Sequence, residues 1–351
     1  MEPWTTRKLL AWTTQHFEEK GVDSPRVAAE MLLGHVLNVP RLKLYMEPDR
    51  PASEDERDTF RALVARAGKH EPVDYLIGKA PFFGLELRVT PAVLIPRPST
   101  ETIVEYVLQA VRDHAPIDTT SDEAVIVEPK PASVMETEAS LGELTYEPEP
   151  MPGEVAETAT PAPVAEAPVD FTPPKKPAPA FAGCIADVCT GSGAIAIALA
   201  TQLPSATFVA TDLSEEALAV ARQNAADHGV ADRIDFRQGD LLEPLGNERF
   251  DFLLSNPPYI SDAEWADVLP NVKDYEPTTA LLSGTDGLDH LRRLIVQAVD
   301  TLSPNGEILL EMSSTQGEAI ENLAVDAGLS DQQILKDHEG LPRVLVARRD
   351  G

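Results

Sequence analysis

Basic residues, aromatic residues and cysteines are all scarce in this chain of 351 residues. Lysine and arginine together number 29 against 58 acidic residues, so the formal net charge is −29. Proteins that bind nucleic acid neutralise its phosphates with basic side chains, so the excess of acidic residues argues against direct nucleic-acid binding. A basic or peptide partner suits this charge better. The two cysteines, Cys184 and Cys189, flank one predicted strand, which argues against a disulfide framework and fits a reducing cytoplasm.

Long hydrophobic runs are also missing. The uncharged stretch from 188 to 211 is interrupted by Gly, Ser, Gln and Pro, which argues against a membrane span. The N-terminus, Met-Glu-Pro-Trp, lacks the basic and then apolar pattern of a secretory signal. The sequence therefore predicts a cytoplasmic protein that does not enter a membrane.

A small helical domain is predicted over residues 1–75. Apolar residues recur at helical spacing from Thr5 to Lys20, and Ser24-Pro25 supplies a cap and a first-turn proline for a second helix. A third helix is expected over about residues 53–67. The apolar residues that the second helix is expected to bury are Val27, Met31, Leu32 and Val36.

Two further segments separate this domain from the rest of the chain. Residues 80–95, which contain Phe82-Phe83-Gly84-Leu85, predict a β-hairpin within a linker over 76–97. Residues 116–180 hold 13 of the 31 prolines and 13 acidic residues against 3 lysines, so their net charge is −10. Such a composition buries too little apolar surface to offset the entropy of ordering, so a disordered acidic insertion is predicted. Its function stays open between a tolerated surface loop and a regulatory or partner-binding segment.

A strand, a glycine turn and a helix are predicted directly after this insertion. Gly191 and Gly193 let the backbone turn tightly before a helix whose first N–H groups are unpaired. Asp212 lies 19 residues past Gly193 at the end of the next apolar strand, where a carboxylate can accept both hydroxyls of a ribose. The alternative role for Asp212 is a helix N-cap. Because the third glycine of G-x-G-x-x-G is absent, a nucleoside is favoured over a dinucleotide.

Two more strands are predicted to reach the same edge of a sheet. The third strand ends at Asp240, which could face an adenine amino group, and Leu241 follows it as an apolar wall. The fourth strand delivers Asn256. Ligands bind at the carboxyl ends of the strands in doubly wound sheets. The expected fold is therefore α/β, with a Rossmann-like sheet built from residues 98–115 and 181–351.

The most informative motif is Asn256-Pro257-Pro258-Tyr259. Both prolines lack a backbone N–H and have a restricted φ, so the turn is stiff and its carbonyls can accept hydrogen bonds beside the Asn256 side-chain oxygen. These acceptors suit a planar N–H₂ group, which indicates methylation of an amide or amine nitrogen. Asn-Pro is also an ordinary way to end a strand, so the motif alone leaves a plain turn as the alternative.

Together these motifs resemble those of the PrmC/HemK release factor glutamine methyltransferases, over residues 1 to about 112 and 183–349. The matching segments are Asp187-Val-Cys-Thr-Gly-Ser-Gly193, the Asn-Pro-Pro-Tyr turn, Leu94-Ile-Pro-Arg97-Pro-Ser-Thr-Glu101, Glu71-Pro-Val-Asp-Tyr75-Leu-Ile-Gly78, Phe82-Phe-Gly84-Leu, Gly306-Glu-Ile-Leu-Leu-Glu311 and Leu341-Pro-Arg343-Val-Leu-Val-Ala. The resemblance implies a class I methyltransferase fold with S-adenosylmethionine as the cofactor. It predicts no metal site.

The resemblance also implies roles for particular residues. The residues that would hold a glutamine and carry catalysis are Asn256, Pro257, Pro258 and Tyr259. The residues that would contact the cofactor are Arg97, Glu101, Asp187, Cys189, Thr190, Gly191, Ser192, Gly193, Asp212, Asp240, Leu241 and Asn256. The chain departs from the family pattern at two positions, because Cys189 replaces the first glycine of Asp-x-Gly-x-Gly-x-Gly and Ser99 replaces an acidic residue.

The implied function is methylation of the glutamine N5 in the Gly-Gly-Gln loop of peptide chain release factors. The protein is expected to act as a monomer whose helical domain helps to recognise the substrate. A ribosomal-protein glutamine methyltransferase would share the same turn chemistry. An adenine N6-methyltransferase would use the turn for an exocyclic amine, although the acidic chain weighs against it. An inactive cofactor-binding adaptor is the last alternative, and the intact Asn-Pro-Pro-Tyr turn speaks against it.

Overall fold

The computed structural model describes residues 3–114 and 181–351. The predicted acidic insertion over 116–180 lies outside the described residues. The described elements all belong to one compact unit. In this part of the chain no helix is both long enough and apolar enough to cross a membrane.

Five helices form the N-terminal part, namely α1 (Thr6–Lys20), α2 (Pro25–Leu37), α3 (Arg41–Met46), α4 (Glu54–Ala67) and α5 (Val73–Ile77). Local signals explain several of their ends. The Thr5 hydroxyl accepts a hydrogen bond from the Lys8 backbone N–H at the start of α1, and Gly21 ends this helix with a φ of 67°. Ser53 and Glu56 form a reciprocal capping box at the start of α4. The core that packs these helices together includes Leu9, Phe17, Leu32, Leu33, Phe60 and Val64.

The three predicted helices are present, with two differences from the sequence analysis. The short helices α3 and α5 were not predicted. The buried face of α2 is also displaced, because Leu32 is buried as expected but Met31 and Val36 are half-buried and Val27 is exposed. Small residues such as Ala29 form much of the buried face instead. The prediction gave weight to large apolar side chains, whereas Ala28, Ala29 and Gly34 are buried as well.

The predicted hairpin follows α5. It consists of β1 (Lys79–Phe82) and β2 (Leu85–Arg88), which pair in antiparallel fashion. Phe83 and Gly84 form the two-residue turn with φ of 47° and 74°, and hairpin turns of type I′ need positive φ at both positions. The chain then runs through a 3-10 turn at Pro98–Thr100 into α6 (Glu101–His114).

Seven strands form the main sheet, namely β3 (Cys184–Val188), β4 (Thr207–Asp212), β5 (Ile234–Gln238), β6 (Phe250–Ser255), β7 (Leu302–Glu311), β8 (Ser330–Lys336) and β9 (Pro342–Arg348). Their order across the sheet is β5-β4-β3-β6-β7-β9-β8. Strand β9 is antiparallel to both of its neighbours, and the other pairs are parallel. The helices of this part are α7 (Ala194–Gln202), α8 (Glu215–Asp227), α9 (Pro270–Lys273), α10 (Asp289–Thr301) and α11 (Gly317–Asp326). The predicted Rossmann-like fold is confirmed.

The sheet is covered on both faces. One face packs against α6 and α7, and the other packs against α10 and α11. Successive residues of a strand point to opposite faces, so Ile185 belongs to the first core and Ala186 belongs to the second. Every residue of α7 from Ala194 to Ala200 is buried, which explains why this helix is apolar on all sides.

Three neighbouring strands end at the same edge of the sheet. Val188 in β3 pairs with Thr211 in β4 on one side and with Ser255 in β6 on the other. The strand order reverses at β3, and this reversal creates the crevice in which ligands bind to such sheets. The residues that follow these three strand ends therefore open toward a shared site.

Candidate active site

A cavity of about 430 Å³ opens at this edge of the sheet. Its size lies within the range of about 300–1,000 Å³ that is typical of small-molecule sites. Segments 92–100 and 277–290 contribute to its lining. The predicted site residues that line it are Cys189, Thr190, Gly191, Ser192, Asp212, Asp240, Leu241, Asn256 and Pro258.

The turn between β3 and α7 contains three residues with positive φ. They are Cys189 at 60°, Gly191 at 55° and Gly193 at 83°. A Cβ at Gly193 would lie 2.7 Å from Ile197 Cδ1, so glycine permits the tight start of the helix at this position. A Cβ at Gly191 would meet open space instead. The backbone at Gly191 is therefore accessible to a ligand, whereas Gly193 lies outside the lining of the cavity.

Asp187 lies behind this turn and outside the cavity lining. Its Oδ2 accepts hydrogen bonds from Thr190 Oγ1 at 2.6 Å and from the Ala196 backbone N–H at 3.1 Å. The residue is 1% exposed, and this burial is the main cause that raises the pKa of its carboxyl to about 7. These hydrogen bonds connect the turn to the start of α7. Asp187 therefore stabilises the turn that lines the cavity without lining the cavity itself. Its contact with a cofactor stays a prediction.

Asp212 lines the cavity at the end of β4, and two backbone groups fix its carboxylate. Its Oδ2 accepts from the Gly191 N–H at 2.8 Å, and its Oδ1 accepts from the Ser214 N–H at 2.9 Å. The N-cap of α8 is Ser214, whose hydroxyl accepts from the Ala217 N–H, so Asp212 is not the cap of this helix. Each carboxylate oxygen can accept a further hydrogen bond, which suits the two hydroxyls of a ribose. Burial raises the pKa of Asp212.

Asp240 and Leu241 form the wall of the cavity beyond β5. The Oδ2 of Asp240 accepts from Arg293 Nη2 at 2.6 Å, so part of this carboxylate is already paired. Leu241 is buried and has a φ of 51°. His290 at the start of α10 also lines the cavity, and its Nδ1 lies 2.8 Å from Ser283 Oγ. The sequence analysis missed His290, because no motif marks this position.

The Asn256-Pro-Pro-Tyr turn borders the cavity where β6 ends. Asn256 and Pro258 line the cavity, whereas Pro257 is buried outside the lining. The side-chain nitrogen of Asn256 donates a hydrogen bond to Thr100 Oγ1 at 3.1 Å. This contact joins the turn to the start of α6, 156 residues earlier in the chain.

Glu311, at the end of β7, is a central residue that the sequence analysis did not assign to the site. It is fully buried and accepts hydrogen bonds from three hydroxyl groups: Thr100 Oγ1 at 2.6 Å, Ser99 Oγ at 3.2 Å and the Tyr259 hydroxyl at 3.3 Å. Burial raises the pKa of Glu311 and also that of Tyr259, so the Tyr259 hydroxyl stays neutral. Tyr259 itself lies outside the lining of the cavity.

Arg97 and Glu101 were expected to contact the cofactor, and the structure places both outside the lining of the cavity. Arg97 forms an ion pair with the buried carboxylate of Glu276, which also accepts from the Ile95 N–H at 3.2 Å. Glu101 Oε1 accepts from the Phe83 N–H at 2.7 Å in the hairpin turn. Both side chains therefore stabilise the linker region, Arg97 through Glu276 and Glu101 through Phe83. Their contact with a cofactor stays a prediction.

A mostly parallel sheet with an accessible glycine turn, an acid after the next strand and an apolar wall suits a nucleoside, as in class I methyltransferases. Two family models match the chain: "PrmC N-terminal domain" over residues 8–78 and "Methyltransferase small domain" over residues 175–271. The chain is thus a methyltransferase, and S-adenosylmethionine is its methyl donor. The residues present fit this group, because Asp212 is held by backbone N–H groups and the turn at Gly191 is open.

Full-length relatives identify the family. A protein named "Release factor glutamine methyltransferase" from Geobacter sulfurreducens is 35% identical over 99% of this chain and 98% of its own length. Proteins of the same name from Xylella fastidiosa and Chlorobaculum tepidum are 35% and 33% identical, over 98% and 97% of this chain and 98% and 96% of theirs. The chain belongs to the release factor glutamine methyltransferase family.

Proposed function

We propose that this protein transfers a methyl group from S-adenosylmethionine to the side-chain nitrogen, N5, of the glutamine in the Gly-Gly-Gln loop of peptide chain release factors. The names of the full-length relatives support this substrate. The observation that carries the proposal is the position of Asn256, whose side chain lines the cavity and is anchored through its nitrogen.

The residue types suit an amide nitrogen. Such a nitrogen is a poor nucleophile because its lone pair is delocalised into the carbonyl, so the protein must orient it. The side-chain oxygen of Asn256 and the backbone carbonyl of Pro257 would each accept one N–H of the substrate amide. Orientation of this kind contributes up to about 7–11 kcal/mol in intramolecular reactions. Fixed carbonyl dipoles also favour positive charge that develops on the nitrogen.

When bound, S-adenosylmethionine supplies a methyl group on a positively charged sulfur. The residues that would hold it are the open turn from Cys189 to Ser192, the carboxylate of Asp212 and the apolar side chain of Leu241. Asp240 and His290 would contribute polar contacts at the far wall. Pro257 and Pro258 are buried and would exclude water from one side of the reacting amide.

The wider organisation follows from the same proposal. The helical region over residues 1–75 would recognise the release factor, the hairpin region over 76–97 would link it to the catalytic domain, and residues 98–115 with 181–351 would carry catalysis. The acidic chain suits a protein partner and no direct nucleic-acid contact. The protein would act as a monomer in the cytoplasm, where release factors work.

Labelled methyl transfer tests this function. The full chain is incubated with labelled S-adenosylmethionine and a purified release factor, beside the same factor with the glutamine of Gly-Gly-Gln changed to alanine. Label on the first factor and none on the second supports the proposal. Label on neither, with cofactor binding intact, contradicts it and directs the search to a ribosomal protein or a nucleic acid.

A further inference from the structure

A short chain of hydrogen bonds leads from the core of the sheet to the cavity. Asn256 Nδ2 donates to Thr100 Oγ1 at 3.1 Å, and Thr100 Oγ1 donates to Glu311 Oε2 at 2.6 Å. Asn256 and Thr100 both line the cavity, whereas Glu311 is fully buried behind them. The three residues come from the ends of β6, the turn before α6 and the end of β7, which the fold brings together.

When the Glu311 carboxylate is ionised, the number of available protons fixes the direction of these hydrogen bonds. The three hydroxyl donors to Glu311 and the positive charge of Arg343 favour that ionised form. An ionised carboxylate can only accept hydrogen bonds, and a hydroxyl has a single proton to donate. Thr100 gives that proton to Glu311, so its oxygen is free only to accept from Asn256. The group of Asn256 that meets Thr100 must therefore be the N–H₂, which can donate.

This polarity decides what Asn256 presents to the cavity. A side-chain amide has an oxygen at one corner and a nitrogen at the other, and the two can exchange places by rotation. With the nitrogen bound to Thr100, the oxygen is left as the acceptor for a substrate. The opposite rotamer would place two N–H donors of Asn256 against the N–H₂ group of a glutamine, and neither side could accept.

Three other groups hold Glu311 in its place. Ser99 Oγ donates to Oε1 at 3.2 Å and the Tyr259 hydroxyl donates to the same oxygen at 3.3 Å. The positive charge of Arg343 in β9 favours the ionised form of Glu311 and opposes the effect of burial. Glu311 is therefore surrounded by donors, which fits an acceptor that orders the hydroxyl of Thr100.

We propose that Thr100 and Glu311 are positioning residues for methyl transfer, which orient the Asn256 amide so that its oxygen faces the substrate nitrogen. This role rests on the proposed glutamine methylation and adds two residues to the site that the Asn-Pro-Pro-Tyr motif does not contain. Neither residue needs to touch the reacting atoms, because both act through Asn256.

Steady-state kinetics of Thr100→Val and Thr100→Ser test the proposal. Valine has the shape of threonine but lacks the hydroxyl, so Asn256 loses the partner that selects its rotamer. We expect Thr100→Val to lower kcat for a release factor by about tenfold to a hundredfold, the effect of one misdirected hydrogen bond. The Kd for S-adenosylmethionine is expected to change by less than about threefold, because the carboxylate of Asp212 and the turn at Gly191 are held by contacts that do not involve Thr100. Thr100→Ser keeps the hydroxyl and is expected to recover most of the lost kcat.

Thr102→Val is the matched control. It makes the same change at a neighbouring buried threonine whose hydroxyl has no hydrogen-bond partner among the described residues, so kcat is expected to stay within about twofold of the wild-type value. If Thr100→Val does not bind the cofactor, Thr100→Ala replaces it as the variant without a hydroxyl.

Two results would overturn the inference while the proposed function stands. One is a kcat of the hydroxyl-free variant within twofold of wild type. The other is an equal loss in Thr100→Ser or Thr102→Val, which would trace the effect to packing at the start of α6. Absence of methylation by the wild-type protein is a separate outcome, because it would contradict the proposed function itself.

Discussion

At the scale of single residues, Cys189 has a backbone conformation that is unfavourable for a residue with a Cβ. Its φ of 60° is a conformation that residues with a Cβ adopt at a cost of roughly 1–2 kcal/mol. Burial raises the pKa of its thiol, so the sulfur stays protonated and neutral in this turn. The glycine that the family pattern has at this position would adopt the same φ without strain.

We therefore expect Cys189→Gly to be more stable than Cys189→Ala by about 1 kcal/mol. Both variants remove the sulfur, but only glycine relieves the positive φ. Urea unfolding of the two variants measures the difference. Equal stability, or a more stable alanine variant, would show that the turn is not strained at this residue.

Asp187 predicts a pH dependence of stability. Its folded pKa of about 7 lies above its ordinary value of 3.8, so between these values the folded protein holds a proton that the unfolded chain releases. The free energy of unfolding should therefore fall as the pH rises from about 4 to 7, by on the order of 4 kcal/mol at most, and then level off.

The control for this prediction is Asp187→Asn, which imitates the protonated acid at every pH. Its free energy of unfolding should lack the decrease that Asp187 causes in wild type. Chemical unfolding at a series of pH values gives the comparison. Identical pH profiles for the two proteins would contradict a raised pKa.

The side chain of Asn256 is predicted to contact the reacting amide. Asn256→Ala removes this acceptor and is expected to lower kcat by about a hundredfold to a thousandfold, which is the usual effect of losing one preorganised polar group. Near-ultraviolet circular dichroism should show an intact fold. A kcat near the wild-type value would remove Asn256 from the mechanism.

At the scale of elements, Glu276 ties the segment after α9 to the linker that follows the hairpin. Its carboxylate is buried and meets both Arg97 and the Ile95 N–H. Arg97→Ala would leave this carboxylate without its counter-charge, so we expect a loss of up to about 3 kcal/mol in the free energy of unfolding. Arg61→Ala, which breaks an exposed pair with Asp58, should cost less than about 1 kcal/mol. Equal losses in the free energy of unfolding, measured with urea, would show that the buried Arg97–Glu276 pair stabilises the fold no more than an exposed pair.

Elements with strong local signals could be predicted from the sequence. The parallel strands and the hairpin turn at Phe83-Gly84 follow from apolar runs and turn residues, and the structure contains them. Thr100 and Glu311 could not be assigned in this way, because they meet only after the sheet has brought together residues 211 positions apart. The buried face of α2 was misjudged for a related reason, since the packing partners of a helix decide which of its apolar residues are covered.

At the scale of the whole molecule, the acidic segment 116–180 separates α6 from β3 in the sequence. The cavity lining that is described comes from residues 92–100 and 189–290. We expect a variant in which residues 118–178 are replaced by a short Gly/Ser linker to keep the kcat of the full chain within about twofold. The described cavity lining lies outside this segment, and a change in loop length costs little free energy. A large loss of activity with unchanged cofactor affinity would instead give the segment a role in recognising the partner.

The measurement that tests the central claim most directly is mass spectrometry of a release factor after incubation with the full chain and S-adenosylmethionine. The account predicts one added methyl group, located by fragmentation on the side chain of the glutamine in Gly-Gly-Gln and absent when Asn256→Ala is used. A methyl group on a different residue, or an unmodified release factor in the presence of an enzyme that binds its cofactor, would contradict the account.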